Sequence, residues 1–300
     1  MGRVLFFVHV PKCAGMSLTR ALERHLAPDE VYQSTSLIAN LRAGRPDFME
    51  IAAPDRLRAL IGHWLHQGML PYLRGDLRFA TSLREPGARM RSQYRFDMAL
   101  RAPGWQPASA EDFLARNRNV LCSFLLAPFP SLRAETGSLL EGAKLVLSGM
   151  DTVFDVSEGG AAQAAQAALL AELGVTAPDL RQENVSAGQG AEIGVAEEVL
   201  RQAAGDDLAL YDWFHDARAR QGGGADPLAN PVFDPQARAR LEALRRRPFQ
   251  PDTLARYLAA KLARELQVEA ADADAVQARL YRRATYASAL HRAFVDLRRG

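Results

Sequence analysis

Three hundred residues suffice for one large domain, or for one domain and a smaller appendage. A hydrophobic content of 48% allows a sizeable core, and a formal charge of only +2 does not fit a generic nucleic-acid binder. Two cysteines, Cys13 and Cys122, do not make a disulfide scaffold, and no apolar run reaches the roughly 18–20 residues of a membrane span, so the expectation is a soluble, cytoplasmic chain.

Val4–Val10 is a short, almost unbroken apolar run, the pattern of a strand buried on both faces. It ends at Pro11, turns through Lys12-Cys13-Ala14-Gly15 and passes into helical spacing over Met16–His25, where Leu18, Ala21 and Leu22 share a face. Further strands are predicted at Val31–Gln33, Leu57–Gly62, Leu77–Leu83 and Lys144–Ser148, and helices at Gly87–Leu100, Ala110–Phe124, Gly160–Leu173 and Gly194–Ala204. The alternation predicts an α/β fold with a mostly parallel central sheet flanked by helices, whose ligands bind at the carboxyl ends of the strands. Gly222-Gly223-Gly224, followed by Pro227, Pro231 and Pro235, marks a linker that divides the chain into residues 1–222 and a helical C-terminal extension, 223–300. Helices are predicted there near Gln236–Arg247, Pro251–Val268 and Ala273–Arg298. From Gln236 onward there are 14 Lys/Arg against 7 Asp/Glu, which leaves 23 against 28 for the rest of the chain, so a basic extension follows a mildly acidic body.

Two stretches read as anion sites. A strand, turn and helix leave backbone N–H groups unpaired at the helix start, where the helix dipole adds positive potential. Gly15 would let the backbone approach an anion, Lys12 adds a point charge, and Ser17 adds a hydroxyl in the first turn. The order is not that of a Walker A loop, since the lysine precedes the glycine. The plain alternative is an ordinary helix start with a solvated lysine. In the second stretch, Leu77–Phe96, Arg84 stands at a strand end, Pro86 suits the first turn of a helix, and Ser92 lies about two turns in, where it could face back toward Arg84 and hold a phosphate monoester with it. The alternative is that Arg84, Arg89, Arg91 and Arg95 form a solvated basic face.

The motif HVPKCAGMSL resembles the 5′-phosphosulfate loop of the sulfotransferases, and LREPGARMRSQY resembles their 3′-phosphate segment, most closely in the carbohydrate (uronyl and heparan 2-O-type) group. LVLSGMDTVFDVSEG, LRQENVS and DDLALYDWF resemble further family segments in the same order, so the likeness covers roughly residues 1–215. It implies a P-loop-like sulfotransferase fold and a donor, 3′-phosphoadenosine 5′-phosphosulfate, with a phosphate at each end, and no metal. It implies that Lys12, Cys13, Ala14, Gly15, Met16, Ser17 and Leu18 hold the phosphosulfate, that Arg84 and Ser92 hold the 3′-phosphate, and that Asn184 and Ser186 close over the nucleotide. Cys13 and Met16 depart from the family's threonines, and Met16 can offer only its backbone N–H. Cys13 reads either as a reactive thiol at a helix start or as a small buried side chain.

Sulfuryl transfer to a hydroxyl needs a base. His63, after a predicted strand and a glycine, should project from the same edge as Lys12 and Arg84, and the resemblance places the family's catalytic histidine there. His66 is the local rival, and His9, inside the first strand, reads as a satisfied core histidine. The expected reaction is in-line transfer to a hydroxyl of a carbohydrate or glycolipid, with 3′,5′-adenosine bisphosphate as product. A P-loop-like small-molecule kinase and a non-catalytic nucleotide-binding homologue are the alternatives. The basic extension, with Arg245-Arg246-Arg247 and Arg282-Arg283, reads as solvated helix faces, as a contact for an acidic acceptor, or as a membrane-surface or subunit contact.

Overall fold

The computed structural model describes residues 2–43, 45, 48, 54–100, 109–176, 180, 193–221, 228–248 and 250–268. The opening apolar run forms β1 (Arg3–Val8), the central strand of a five-stranded sheet in the order β2-β3-β1-β4-β5. The others are β2 (Val31–Ser34), β3 (Ala59–Gly62), β4 (Asp76–Leu83) and β5 (Thr152–Asp155), and every pairing is parallel. In register, Phe6 lies opposite Leu60 on one side and Phe79 on the other.

Period-two alternation splits β1 between two cores. Val4, Phe6 and Val8 enter one apolar cluster, while Leu5 and Phe7 enter the other. The second cluster is closed by α1 (Gly15–His25) and α8 (Gly160–Glu172), through Leu18, Ala21, Leu22, Ala165 and Leu169. The first is closed by α5 (Val120–Leu126), α7 (Leu139–Ser148), α10 (Asp206–Arg220), α11 (Pro235–Arg245) and α12 (Pro251–Val268). The remaining described helices are α2 (Leu37–Arg42), α3 (Pro86–Leu100), α4 (Ala110–Arg116), α6 (Pro130–Thr136) and α9 (Glu197–Ala203).

Two expectations change. Lys144–Ser148 is the last half of α7, not a strand; Ser138 caps that helix and Gly142, Ala143, Val146 and Leu147 form its buried stripe. The strand lies just beyond it, at β5. The single helix expected over Ala110–Phe124 is two, α4 and α5, broken where Asn119 adopts φ 57°. In the helical extension, Leu241, Leu254, Leu258 and Leu262 share one apolar cluster with Phe6 and Phe79. The glycine linker and the helix expected at Ala273–Arg298 lie outside the described residues. Among the described residues no helix is long and apolar enough to cross a membrane.

The chain leaves β1 for β2 on one side of the sheet and leaves β4 for β5 on the other. The carboxyl ends of β1 and β4 therefore flank the crevice where the winding direction changes, the place where such sheets bind ligands.

Candidate functional site

Beyond β1 the chain makes a tight turn, with the Cys13 N–H bonded to the Val10 carbonyl at 3.2 Å. Lys12 (φ 68°) and Ala14 (φ 54°) both occupy the left-handed region, which costs a non-glycine residue about 1–2 kcal/mol. The surroundings hold this strained turn. Ser82 Oγ donates to the Cys13 carbonyl at 2.6 Å and Arg84 Nη1 donates to the Lys12 carbonyl at 3.1 Å. Ala14 is the N-cap of α1 and no side chain caps the helix; its first turn carries no acidic residue. The amide dipoles at that end thus meet no protein carboxylate in the first turn.

Gly15 also makes room for a neighbouring ring. A Cβ there would lie 2.2 Å from His9 Cδ2 and 2.4 Å from its Nε2, so the space of the missing side chain is filled by imidazole. Cys13 is fully buried, and burial pushes its thiol up to about 12 despite the nearby Arg89 and Arg84, which rules for the small buried side chain over the reactive thiol. Leu18 is buried in the α1 core, so only the backbone of those two positions is open to a ligand role. Ser17 is buried and Met16 half-buried.

Lys12 and Arg84 come together. Burial lowers the Lys12 ammonium, the Arg84 guanidinium lowers it further, and Asp97 offsets part of this. Among the described residues neither cation forms an ion pair; Lys12 Nζ rests instead 4.0 Å above the Phe96 ring. Ser92 lies one helical turn before Phe96 on α3, which places it on the stripe beside the loop. It forms no hydrogen bond among the described residues, and the structure shows no contact between it and Arg84. The arginines around it are not a solvated face. Arg89 is 1% exposed, donates from Nη2 to the Asn117 carbonyl at 3.0 Å, and leaves Nε and Nη1 without partners among the described residues. Arg91 pairs with Glu197.

His63 leaves the end of β3 beside this loop. Its Nδ1 lies 2.7 Å from the His9 carbonyl. A carbonyl only accepts, so Nδ1 carries the proton and Nε2 presents its lone pair. Burial lowers this imidazole to about 4, against the smaller raising effect of the His9 bond, so it is neutral at pH 7 with Nε2 unprotonated, and a weaker base than an exposed histidine. Its neighbours are aromatic: His9 at 4.4 Å, Phe124 at 5.6 Å and Trp64 at 6.4 Å between ring centroids. His66 has a structural role. Its Nδ1 accepts from the Gly68 N–H at 3.0 Å, capping a 3-10 turn over Gln67–Tyr72, and its ring packs on Tyr257 at 4.5 Å.

Local sequence patterns did not reveal two parts of this edge. The first is α12, which borders the histidines: Trp64 Nε1 donates to Glu265 at 2.6 Å, Lys261 lies 4.9 Å above Trp64, and the Tyr257 hydroxyl donates to the Leu65 carbonyl at 3.1 Å. The second is a closed polar cluster at the end of β5. There buried Asp155 accepts from Tyr211, from His215 Nε2 at 2.8 Å and from the Ser157 N–H at 2.8 Å. The net result of these bonds is to hold its carboxyl below the usual range, although burial acts the other way. Asn184 and Ser186 lie outside the described residues. Among the described residues no cluster of three metal-ligating side chains occurs. No protein-family model matches the chain, and no curated protein or solved structure shows significant similarity to it.

Proposed function

We propose that this chain is a sulfotransferase that moves a sulfuryl group from 3′-phosphoadenosine 5′-phosphosulfate to a hydroxyl, of a carbohydrate or a glycolipid, on a P-loop-like sulfotransferase fold. The observation that carries the reading is the meeting of Lys12 and Arg84, two cations without carboxylate partners among the described residues, at the switch crevice of a parallel sheet. Each comes from one of the two motifs that resemble the family's phosphate segments. Their closeness fits contiguous anion sites on one ligand better than two unrelated surface charges.

In this reading Lys12 and the first-turn amides of α1 face the phosphosulfate, and Arg84 with Ser92 faces the 3′-phosphate. The donor brings an already activated sulfuryl group, so the protein has to position it and offset charge. Donors fixed before the reaction do this without reorganisation. His63 Nε2 takes the acceptor's proton as the new S–O bond forms, and the adenosine bisphosphate departs with its charge held by Lys12.

His63→Ala should lower transfer by about 10²-fold or more while calorimetric binding of 3′,5′-adenosine bisphosphate is kept. Unchanged turnover would remove His63 from the mechanism. Titration with ATP–Mg against the bisphosphate separates this reading from a small-molecule kinase, which would prefer ATP. A non-catalytic nucleotide binder is the second reading. Met16 favours it, since that side chain offers no hydroxyl where the family pattern has threonine, and a donor that is bound and never consumed across a panel of acceptors would decide for it.

A further inference from the structure

The edge described above holds a second histidine. We propose that His9 is a ligand-touching residue whose Nε2–H donates a hydrogen bond to the anion bound at the first turn of α1. The inference builds on the reading of this edge as an anion site, and it does not require that the anion be a phosphosulfate.

His9 is held from both sides of its own backbone. Its N–H bonds to the Gly62 carbonyl at 3.1 Å, extending the β1–β3 ladder, and its carbonyl accepts from His63 Nδ1. The ring that results is only 3% exposed and lies in the space that a side chain at position 15 would take, with its Cδ2–Nε2 edge against the first residue of α1. Any larger residue at 15 would evict it.

Its protonation follows from its surroundings. Burial, then His63, then Lys12 push the imidazole well below the ordinary histidine value, so the ring is neutral and carries one proton. Nδ1 is enclosed and has no partner among the described residues. An enclosed N–H without an acceptor is rarer in folded proteins than an acceptor left unpaired, so the proton belongs on Nε2. The two stacked histidines, 4.4 Å apart, are therefore opposite tautomers. His63 presents a lone pair, and His9 presents a donor at the uncapped helix start.

A neutral donor suits that position. Lys12, Arg84 and the helix dipole already make the region positive and would oppose an imidazolium. A neutral N–H adds a directed bond to an anion's oxygen without adding repulsion, and it leaves the neighbouring base unprotonated. A group that only fills space would need no polar edge there.

The test uses the full chain with inorganic pyrophosphate and 3′,5′-adenosine bisphosphate as separate calorimetric probes. His9→Phe keeps a planar ring and removes the donor; His9→Gln keeps an N–H donor at the ε position. The expected result is a loss of about 10-fold in pyrophosphate affinity for His9→Phe, recovered to within about 3-fold by His9→Gln. A folded His9→Phe protein that binds pyrophosphate as tightly as the unsubstituted chain overturns the proposal. Where His9→Phe does not fold, the unsubstituted protein labelled with ¹⁵N-histidine decides: His9 should be the Nε2–H tautomer, and its N–H resonance should move on adding pyrophosphate. An Nδ1–H tautomer, or no response to the probe, overturns it. A His9-dependent pyrophosphate signal with no binding of the adenosine bisphosphate would sink the sulfotransferase reading and leave the role of His9 standing.

Discussion

The two ends of the central sheet handle charge in opposite ways. At the amino end of β1 and β4, Arg3 meets Glu172 at 3.0 Å and Asp76 at 3.8 Å, and Arg78 meets the same Glu172 at 2.6 Å. Arg56 pairs with Asp29 at 2.6 Å, and Arg58 with Glu30 at 3.6 Å. A cavity of about 550 Å³ opens there, lined by Arg3, Arg56, Arg58 and Glu30 among others. At the carboxyl end of the same strands, Arg84 leans on the Lys12 carbonyl and no described carboxylate pairs with either cation. That cavity makes the amino end a rival binding site. Charge favours the other, because Arg3, Arg56, Arg58 and Arg78 are matched to carboxylates and of the described arginines there only Arg74, which donates to the Pro71 carbonyl, is not, whereas two adjacent cations meet at the uncapped helix start of the carboxyl end.

The contrast breaks most visibly through substitution at each end. Arg84→Ala should weaken 3′,5′-adenosine bisphosphate binding by roughly 30-fold or more, the loss expected when one partner of a desolvated charge pair is removed. Its effect on thermal stability should stay within about 1 kcal/mol, because the lost bond to Lys12 is offset by relief of like-charge repulsion. Glu172→Gln should do the reverse, costing about 1–2 kcal/mol in a denaturation curve, since Glu172 is 14% exposed and serves two arginines, while nucleotide affinity is unchanged. If Glu172→Gln and not Arg84→Ala abolishes binding, the ligand sits at the amino end and the site proposed here is wrong.

Acid distinguishes the ends next. His63 and His66 titrate near 4, lowered chiefly by burial from an ordinary 6.5. Between those values the unfolded chain binds protons that the folded chain refuses. Stability is therefore level above about pH 6.5 and declines as pH falls toward 4, by on the order of 2–3 kcal/mol for each fully effective histidine. Melting curves at pH 7 and pH 5 should show the decline, and His63→Gln should reduce it. Transfer should persist from pH 7 to about pH 5, below the limb an exposed histidine base would give. A rate midpoint at 6.5 would mean that His63 is not buried in the working enzyme.

The first strand, the turn after it and the strand end at Arg84 were legible because each is local: an apolar run, then residues that stop it. The parts that were not legible depend on contacts made far along the chain. Leu145-Val146-Leu147 fits a strand as well as a helix face; what decides is the cap at Ser138 and the burial of Gly142 and Ala143 one turn earlier. Arg89 looks like its basic neighbours until Asn117, at the carboxyl end of α4, supplies a buried carbonyl for it. His9 reads as one more residue of a core strand, and no spacing rule says that the glycine six places on leaves room for its ring. The approach of α12 is less local still, since Glu265 reaches Trp64 across 201 residues of sequence.

The smallest expected effect concerns how the carboxyl end waits for its ligand. Phe96 is 37% exposed, an unusual place for a large aromatic side chain, and it supports the Lys12 ammonium 4.0 Å above its ring. A cation over an aromatic face at a partly exposed site gains about 0.5–1 kcal/mol. If an anion at the first turn of α1 draws the ammonium off the ring, the contact stabilises the free protein and is absent from the complex. Phe96→Leu removes it from the free protein alone and should tighten pyrophosphate binding by about 2- to 5-fold, with nothing changed at the amino end. Equal affinity would mean that Lys12 keeps its place on the ring when the anion binds. Weaker affinity for 3′,5′-adenosine bisphosphate, with pyrophosphate unaffected, would make Phe96 a surface for the nucleoside, stacked beside Ser92 on the same stripe of α3.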